Sequence, residues 1–309
     1  MITTITLNAA IDQIYQVESL SVGGVNRIAS IVKDAGGKGM NVAKVVKSSG
    51  ADVDVGGFAG GNNGDVIRQF LDARSIPNEL IRITEESRVC LTVLNLEDGK
   101  GTELLESGPV ISTDEWSSLL HWLTLKSLEV KWFVLSGSLP KGVPENAYAQ
   151  MIEIINANGA KAVLDSSGPA LALGIKAIPF AIKPNEEEIA SILGKSVLSE
   201  SDLLEAGKRF IESGIEHVCF TLGKSGAIIM NKSGNYKVNA PGIQPVNTVG
   251  SGDAFVGGFV YGCAMGEDVF TTYKRAIACG TSNAMHEDIG YIEKQIVESL
   301  MNKITLEKI

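Results

Sequence analysis

The chain has 309 residues, 44% of them apolar, enough for one large domain or two ordinary ones around a sizeable core. Its net charge of -9 excludes nucleic acid as the main partner, which would require a basic face, but leaves phosphorylated small molecules open because these meet only local charge. Four cysteines form no CxxC pair and read as reduced, buried thiols of a cytoplasmic protein. Three histidines, far apart in sequence, argue against a His-based metal site.

Residues 2–8 read as a buried first strand, and the opening "MITTITLNAAIDQIY" lacks the basic region and cleavage site of a signal peptide. Segments 11–17, 25–32, 89–96 and 101–106 alternate apolar and polar residues, the period of half-exposed strands. Helical patterns are expected at 39–49 and 63–74, with a strand at 52–59 between them. From 113 onward helices and strands alternate. Helix 113–127 precedes strand 130–137, helix 144–157 precedes strand 160–168, and strand 179–185 precedes helical segments reaching 213. Strand 216–223 and two short strands at 226–231 and 235–239 follow, then helices at 252–265 and 268–286. The apolar run 254–266 is too short and too glycine-rich to span a bilayer, so no membrane association is expected.

This alternation predicts an α/β protein built on a mostly parallel, doubly wound sheet. The early amphipathic strands do not fit inside such a sheet and read as a small second sheet. With no linker or repeat visible, residues 1–309 are read as one domain, with lid strands inserted at about 11–17, 25–33 and 88–107. Ligands of doubly wound sheets sit beyond the carboxyl ends of the strands. The segments expected there are "LNAAID", "SGSLPKG", "LDSSG", "IKPNEEE", "TLGKSG" and "NTVGSGD", nearly all rich in Gly, Ser, Asn or charge.

Two familiar motifs fail. "GSGDAF" has Phe255 where the dinucleotide fingerprint needs a small residue, and "GKS" at 223–225 lacks the earlier glycine of a P-loop, Val218 standing there. In "AGGKGMNVAKV", Gly36 and Gly37 let backbone approach a ligand and Lys38 offers a charge to phosphate; a glycine turn with a solvated lysine is the plainer reading. In "IKPNEEE", Asn185 and Glu188 share a face of a helix start and suit a hydrated Mg2+, though an acidic start complementing the helix dipole is the plainer reading of this string alone. In "NTVGSGD", the amides of Gly250, Ser251 and Gly252 are expected to converge as an anion nest, with Asp253 beside them as a base or as a plain N-cap.

Together these strings resemble the PfkB branch of the ribokinase-like carbohydrate kinases, in the family's order, from residue 1 to about 290. "TLNAAIDQIY", "VNRI" and "TELLESGP" are similar to the subgroup containing tagatose-6-phosphate kinase and 1-phosphofructokinase. The resemblance implies a ribokinase-like three-layer α/β/α sheet with a small β-sheet lid, and transfer of the ATP γ-phosphoryl group, with Mg2+, to a phosphorylated ketohexose. It implies Asp253 as catalytic base and Gly250, Ser251 and Gly252 as anion hole. Asp12, Gly37 and Asn41 match sugar-hydroxyl contacts, and Lys38 and Arg88, with Arg27 from the lid, match the grip on the sugar's own phosphate. Lys183, Asn185 and Glu188 match the triphosphate and Mg2+ region, and Thr221, Gly223, Gly226 and Asn283 the adenine and ribose end. Ala9 stands where the subgroup usually has proline, and Ser87 where it often has threonine. A helix N-terminus is expected to keep Asp253 ionised and weakly basic. The half-exposed lid strands suggest a homodimer through lid-to-lid contact.

Overall fold

The computed structural model describes residues 1–309. The chain opens with the fully buried strand β1 (Ile2–Thr6), followed by β2 (Ala10–Val17) and β3 (Ile28–Gly36). Helix α1 (Lys38–Ser49) is entered through Gly37 at φ 108° and left through Gly50 at φ 99°, a left-handed cap suited to glycine. Then come β4 (Val53–Gly60), α2 (Gly61–Ala73), β5 (Asn78–Ile83), β6 (Arg88–Asn95) and β7 (Gly101–Leu105). Helix α3 (Thr113–Glu129) starts in a Ser112/Glu115 capping box. It leads to β8 (Trp132–Ser136), α4 (Ala147–Ala157), β9 (Lys161–Asp165), α5 (Gly168–Lys176) and β10 (Ala181–Ile182). The chain continues through α6 (Glu186–Leu193), α7 (Glu200–Glu212), β11 (His217–Thr221), β12 (Ala227–Asn231) and β13 (Gly234–Val238). It closes with α8 (Ser251–Met265), α9 (Val269–Ala284), α10 (Lys294–Met301) and β14 (Leu306–Lys308).

Ten strands form one sheet in the order β14-β13-β12-β11-β10-β9-β8-β1-β4-β5, parallel from β5 to β11 and antiparallel beyond. The period-2 alternation of the strands divides their apolar residues between two faces: Val134 of β8 joins the core with α1, α8 and α9, while Phe133 and Leu135 join the core with α3, α4 and α7. This is the three-layer ribokinase-like architecture. Chain order reverses on either side of β1, which has β4 on one flank and β8 on the other, so the carboxyl ends of β1 and β8 mark the switch point where ligands bind.

A separate four-stranded sheet, order β3-β2-β6-β7, forms the lid, with the pair β2–β6 parallel. Strand β3 differs from the sequence expectation of 25–33: Val25–Arg27 is irregular and β3 runs on to Gly36, because Asp34 to Gly36 pair with Asp12 to Ala10 at the base of the lid. The expected strand 179–185 contracts to Ala181–Ile182, since the chain turns at Pro184 and Asn185 into the cap of α6. Sequence patterning did not show β5, α5, α10 or β14. Helix α5, nine largely apolar residues, is too short for a helical period to register, and β14 is a three-residue edge strand.

Candidate active site

The carboxyl ends of the central strands face the N-termini of α1, α6 and α8. Gly250 caps α8 in the left-handed region at φ 79°, Ser251 and Gly252 begin the helix, and Asp253 is its third residue, 6% exposed. The N–H of Ser251 donates to Thr248 O at 3.2 Å, so the amides of Gly250, Gly252 and Asp253 are the ones without a backbone acceptor. This corrects the expected nest of Gly250, Ser251 and Gly252: the turn that opens the helix consumes the middle donor. Lys183 Nζ stands beside Gly252, where even a Cβ would meet it only in ordinary contact at 3.6 Å, so the ammonium lies at the helix start.

Asp253 is no N-cap; its Oδ2 accepts from Asn41 Nδ2 at 2.8 Å. Burial pushes its carboxyl up to about 6, against the opposing pull of Lys38. Against the expectation of a weakly basic Asp253, burial moves the group toward the range of a general base.

Asp165, the last residue of β9, is fully buried, and its Oδ1 lies 3.1 Å from Lys183 Nζ and 3.4 Å from Lys38 Nζ. Burial alone would raise its carboxyl, but Lys183 and Lys38 outweigh that and hold it low. Lys38 is raised in turn, first by Asp165. Lys38 also approaches Glu188 Oε1 at 4.0 Å and keeps 38% of its side chain exposed. The structure thus groups Lys38 with Asp165, Glu188 and Asp253.

Asn185 caps α6: its side chain accepts from Glu188 N at 2.8 Å, while Glu188 Oε2 accepts from Asn185 N at 2.8 Å. The Asn185 oxygen, expected at Mg2+ through water, accepts one bond from the helix, and the pair forms a capping box. Two hard oxygen donors still fit a divalent cation beside a triphosphate. Glu188 Oε1 lies outside the box, and Asp165 Oδ2 is buried with no hydrogen-bond donor.

At the end where the sugar was expected, Asp12 lies on β2 under Gly36 of β3, where a Cβ would stand 2.2 Å from its Cγ. Burial raises the Asp12 carboxyl to about 6, opposed by Lys44. Arg88 Nε donates to Asn8 O at 3.2 Å and a terminal nitrogen donates to Glu106 O at 3.1 Å, so the guanidinium rests on neutral carbonyls. Arg27 is exposed just before β3, at the end of the small sheet farthest from Asp12 and Gly36. Ser87, in place of threonine, is buried and its Oγ accepts from Gly60 N at 3.0 Å.

At the opposite end, Thr221 closes β11 and its N–H donates to Pro184 O at 3.1 Å. Gly223 opens a single 3-10 turn and faces free space, whereas a Cβ on Gly226 would stand 2.0 Å from Val238 O, so Gly226 is required by the hairpin. Asn283 was expected at the nucleotide end. It is fully buried, donates to Val249 O at 2.8 Å and accepts from Gly290 N at 2.8 Å, clamping the loop before α8.

Two residues of this constellation were missed by sequence reasoning. Asp165 had a signal, a carboxylate ending an apolar strand at the ligand edge of a parallel sheet. Lys44 had a weaker one, a position three residues after Asn41 on one helix face.

A model of the pfkB family of carbohydrate kinases matches residues 5–290. Among solved structures, a Staphylococcus aureus protein proposed to be a phosphofructokinase is 32% identical, with TM-score 0.86 over 100% of this chain and 99% of that one. Phosphofructokinase-2 from Escherichia coli in complex with potassium shares the fold at TM-score 0.93, with 24% identity over 98% of each chain. That enzyme is also described in a tetrameric inhibited form. A Thermotoga maritima protein proposed to be a 1-phosphofructokinase shares the fold at TM-score 0.91 and 21% identity, over 100% of this chain and 99% of that one.

Proposed function

Because the chain belongs to the pfkB family of carbohydrate kinases, we propose that it transfers the γ-phosphoryl group of ATP to a hydroxyl of a ketohexose monophosphate. The product would be a ketohexose bisphosphate, the activity of a tagatose-6-phosphate kinase or a 1-phosphofructokinase. The observation that carries the reading is the juxtaposition at the start of α8. Free amides and the Lys183 ammonium stand beside a carboxylate whose burial has raised it to about 6.

Phosphoryl transfer is largely dissociative, so positioning and charge stabilisation dominate. The amides of Gly250 and Gly252 would hold the migrating group, with Lys183 and Lys38 screening its oxygens. Asp253 would take the proton of the attacking hydroxyl, and the Asn41 amide keeps its carboxylate turned toward α1. Glu188 and Asp165 would hold Mg2+, which when bound neutralises charge on the triphosphate.

A substrate that already carries phosphate is supported by Arg88. Its guanidinium is half-buried at the foot of the lid with carbonyl partners and no carboxylate, a charge that an anionic group would complement. The test is kcat/KM for fructose 1-phosphate, tagatose 6-phosphate, fructose 6-phosphate and ribose, in the wild type and in Arg88→Ala. Arg88→Ala is expected to lower kcat/KM for the preferred sugar phosphate by roughly 10- to 100-fold and to leave ribose unaffected. Equal losses on both would place the chain with kinases of unphosphorylated sugars or nucleosides. No ADP release with any of them would make it a non-catalytic sugar-phosphate sensor.

The assembly we propose is a homodimer through the lids. Ile31 on β3 and Leu104 on β7 are exposed, Leu104 at 57%, and the strand register places both on the face opposite Asp12. A thin sheet with apolar residues on an open face is stabilised when a second copy covers it. Light scattering is expected to give twice the 32.7 kDa chain mass, and Leu104→Lys with Ile31→Lys to give one. A wild-type monomer at micromolar concentration would remove the proposal. No helix is long and apolar enough to cross a membrane.

A further inference from the structure

We propose that Lys44, buried behind the site and anchored by the lid residue Asp34, is a positioning residue that fixes which end of the Asn41 amide faces Asp253. Its catalytic consequence rests on the kinase reading above; its existence rests on geometry alone. Lys44 Nζ donates to Asn41 Oδ1 at 3.2 Å and to Asp34 Oδ2 at 2.7 Å, and Asn41 Nδ2 donates to Asp253 Oδ2 at 2.8 Å.

An ammonium has three donors and no acceptor, so only the oxygen of the Asn41 amide can face it. The amide nitrogen is then turned toward Asp253, where a carboxylate needs a donor. The reversed amide would set NH2 against the ammonium and its oxygen against the carboxylate, two repulsive contacts at once. Lys44 and Asn41 lie three residues apart on one face of α1, so the helix holds them in register. At 6% exposure, Lys44 has little solvent to turn to.

Asp34 makes this arrangement responsive to the lid. It sits on β3, directly opposite Asp12 of β2, and also accepts Arg74 at 3.0 Å. The line Asp34–Lys44–Asn41–Asp253 therefore joins the base of the lid to the carboxylate that would receive the hydroxyl proton. A lid displacement that carries Asp34 away from Lys44 loosens the amide on Asp253. A cavity of about 300 Å3, lined by Asp34, Lys44, Lys47, Arg74 and Gly290, opens behind the lysine. It offers room for a larger cation.

The variants are Lys44→Met, which keeps the stem and loses the donors, Lys44→Arg, which keeps the donors, and Asp34→Ala, which removes the anchor. Lys44→Met is expected to lower kcat roughly 10- to 100-fold with KM for ATP within about twofold of wild type, and Lys44→Arg to restore most of the loss. A second readout needs no substrate. In protein labelled with 15N-asparagine, the Asn41 side-chain amide signal, identified by its loss in Asn41→Ala, is expected to shift in Lys44→Met and to return in Lys44→Arg. An unmoved amide signal and an unchanged kcat in folded Lys44→Met overturn the proposal. If Lys44→Met does not fold, Asp34→Ala decides in the same way: a shifted amide and lowered kcat support it, and wild-type values overturn it. A wild type that phosphorylates none of the sugars sinks the kinase reading, and the amide signal still decides the role of Lys44.

Discussion

Asp253→Asn is expected to lower kcat by roughly two to four decades while leaving ATP and sugar binding nearly intact. The amide cannot accept the hydroxyl proton, yet it has the shape of the carboxylate and can still meet Asn41 across the 2.8 Å hydrogen bond. In the wild type, kcat/KM is expected to fall about tenfold per pH unit below about 6, where burial has placed the Asp253 carboxyl. Asp253→Asn should lack that limb in whatever activity remains.

The same burial predicts a stability difference. The folded carboxyl titrates near 6, above its ordinary 3.8, so between those values the folded protein holds a proton that the unfolded chain has lost. Stability from this group is therefore fully present below pH 3.8 and is lost as pH rises through 6. Asp253→Asn should stabilise the fold at pH 8, on the order of 1–3 kcal/mol, and have little effect at pH 4. Urea midpoints at the two pH values read the difference. A near wild-type kcat, or an equal stability change at both pH values, would contradict the assignment of Asp253 as a buried base.

The second large effect is expected at Asp165. Its carboxylate, fully buried, is the shared partner of Lys183, whose side chain is 6% exposed, and of Lys38. Asp165→Ala leaves the Lys183 ammonium buried without its counter-charge, a change that costs about 3–5 kcal/mol in comparable buried pairs. The low end applies here, because Lys38 is more than one-third exposed and can turn to water. Activity should fall with stability, since both lysines lose the group that aims them at the start of α8. The control is Asp165→Ala combined with Lys183→Met, which removes the stranded charge. Its urea midpoint should recover part of the loss while kcat stays low. A double variant no more stable than Asp165→Ala would show that the stranded charge is not the cause.

Much of the fold was legible because its signals are local. Alternation along β2, β6 and β7 marked a half-exposed lid, and apolar runs separated by helical patterns marked a parallel sheet with both faces covered. The elements that escaped are those with little local pattern: a nine-residue apolar helix in α5 and a three-residue edge strand in β14. The glycines around Asp253 and the lysine after Gly37 mark a candidate phosphate site in the sequence itself, because backbone approach and charge follow from residue type.

What residue type could not convey is how each polar group is already engaged. Asn185 and Glu188 stand at a spacing that suits a metal and a helix cap, and only the hydrogen bonds showed the asparagine capping the helix. Asn283, expected at the nucleotide end, is a buried clamp between Val249 and Gly290. Ser251 looked like one donor of three until the turn at Thr248 took its N–H. The basicity of Asp253 reversed for the same reason. Helix position is a local feature, whereas the desolvation that raises the carboxyl is summed over every element packed around it. The sequence by itself determined the layered α/β fold, the lid and the string of groups along one edge of the sheet, since these depend on pattern and residue chemistry. Only the tertiary structure decided which donors remain free, which charges are paired and how strongly the base holds its proton, because those depend on neighbours brought together from Asn41, Asp165, Lys183 and Asp253, far apart in the chain.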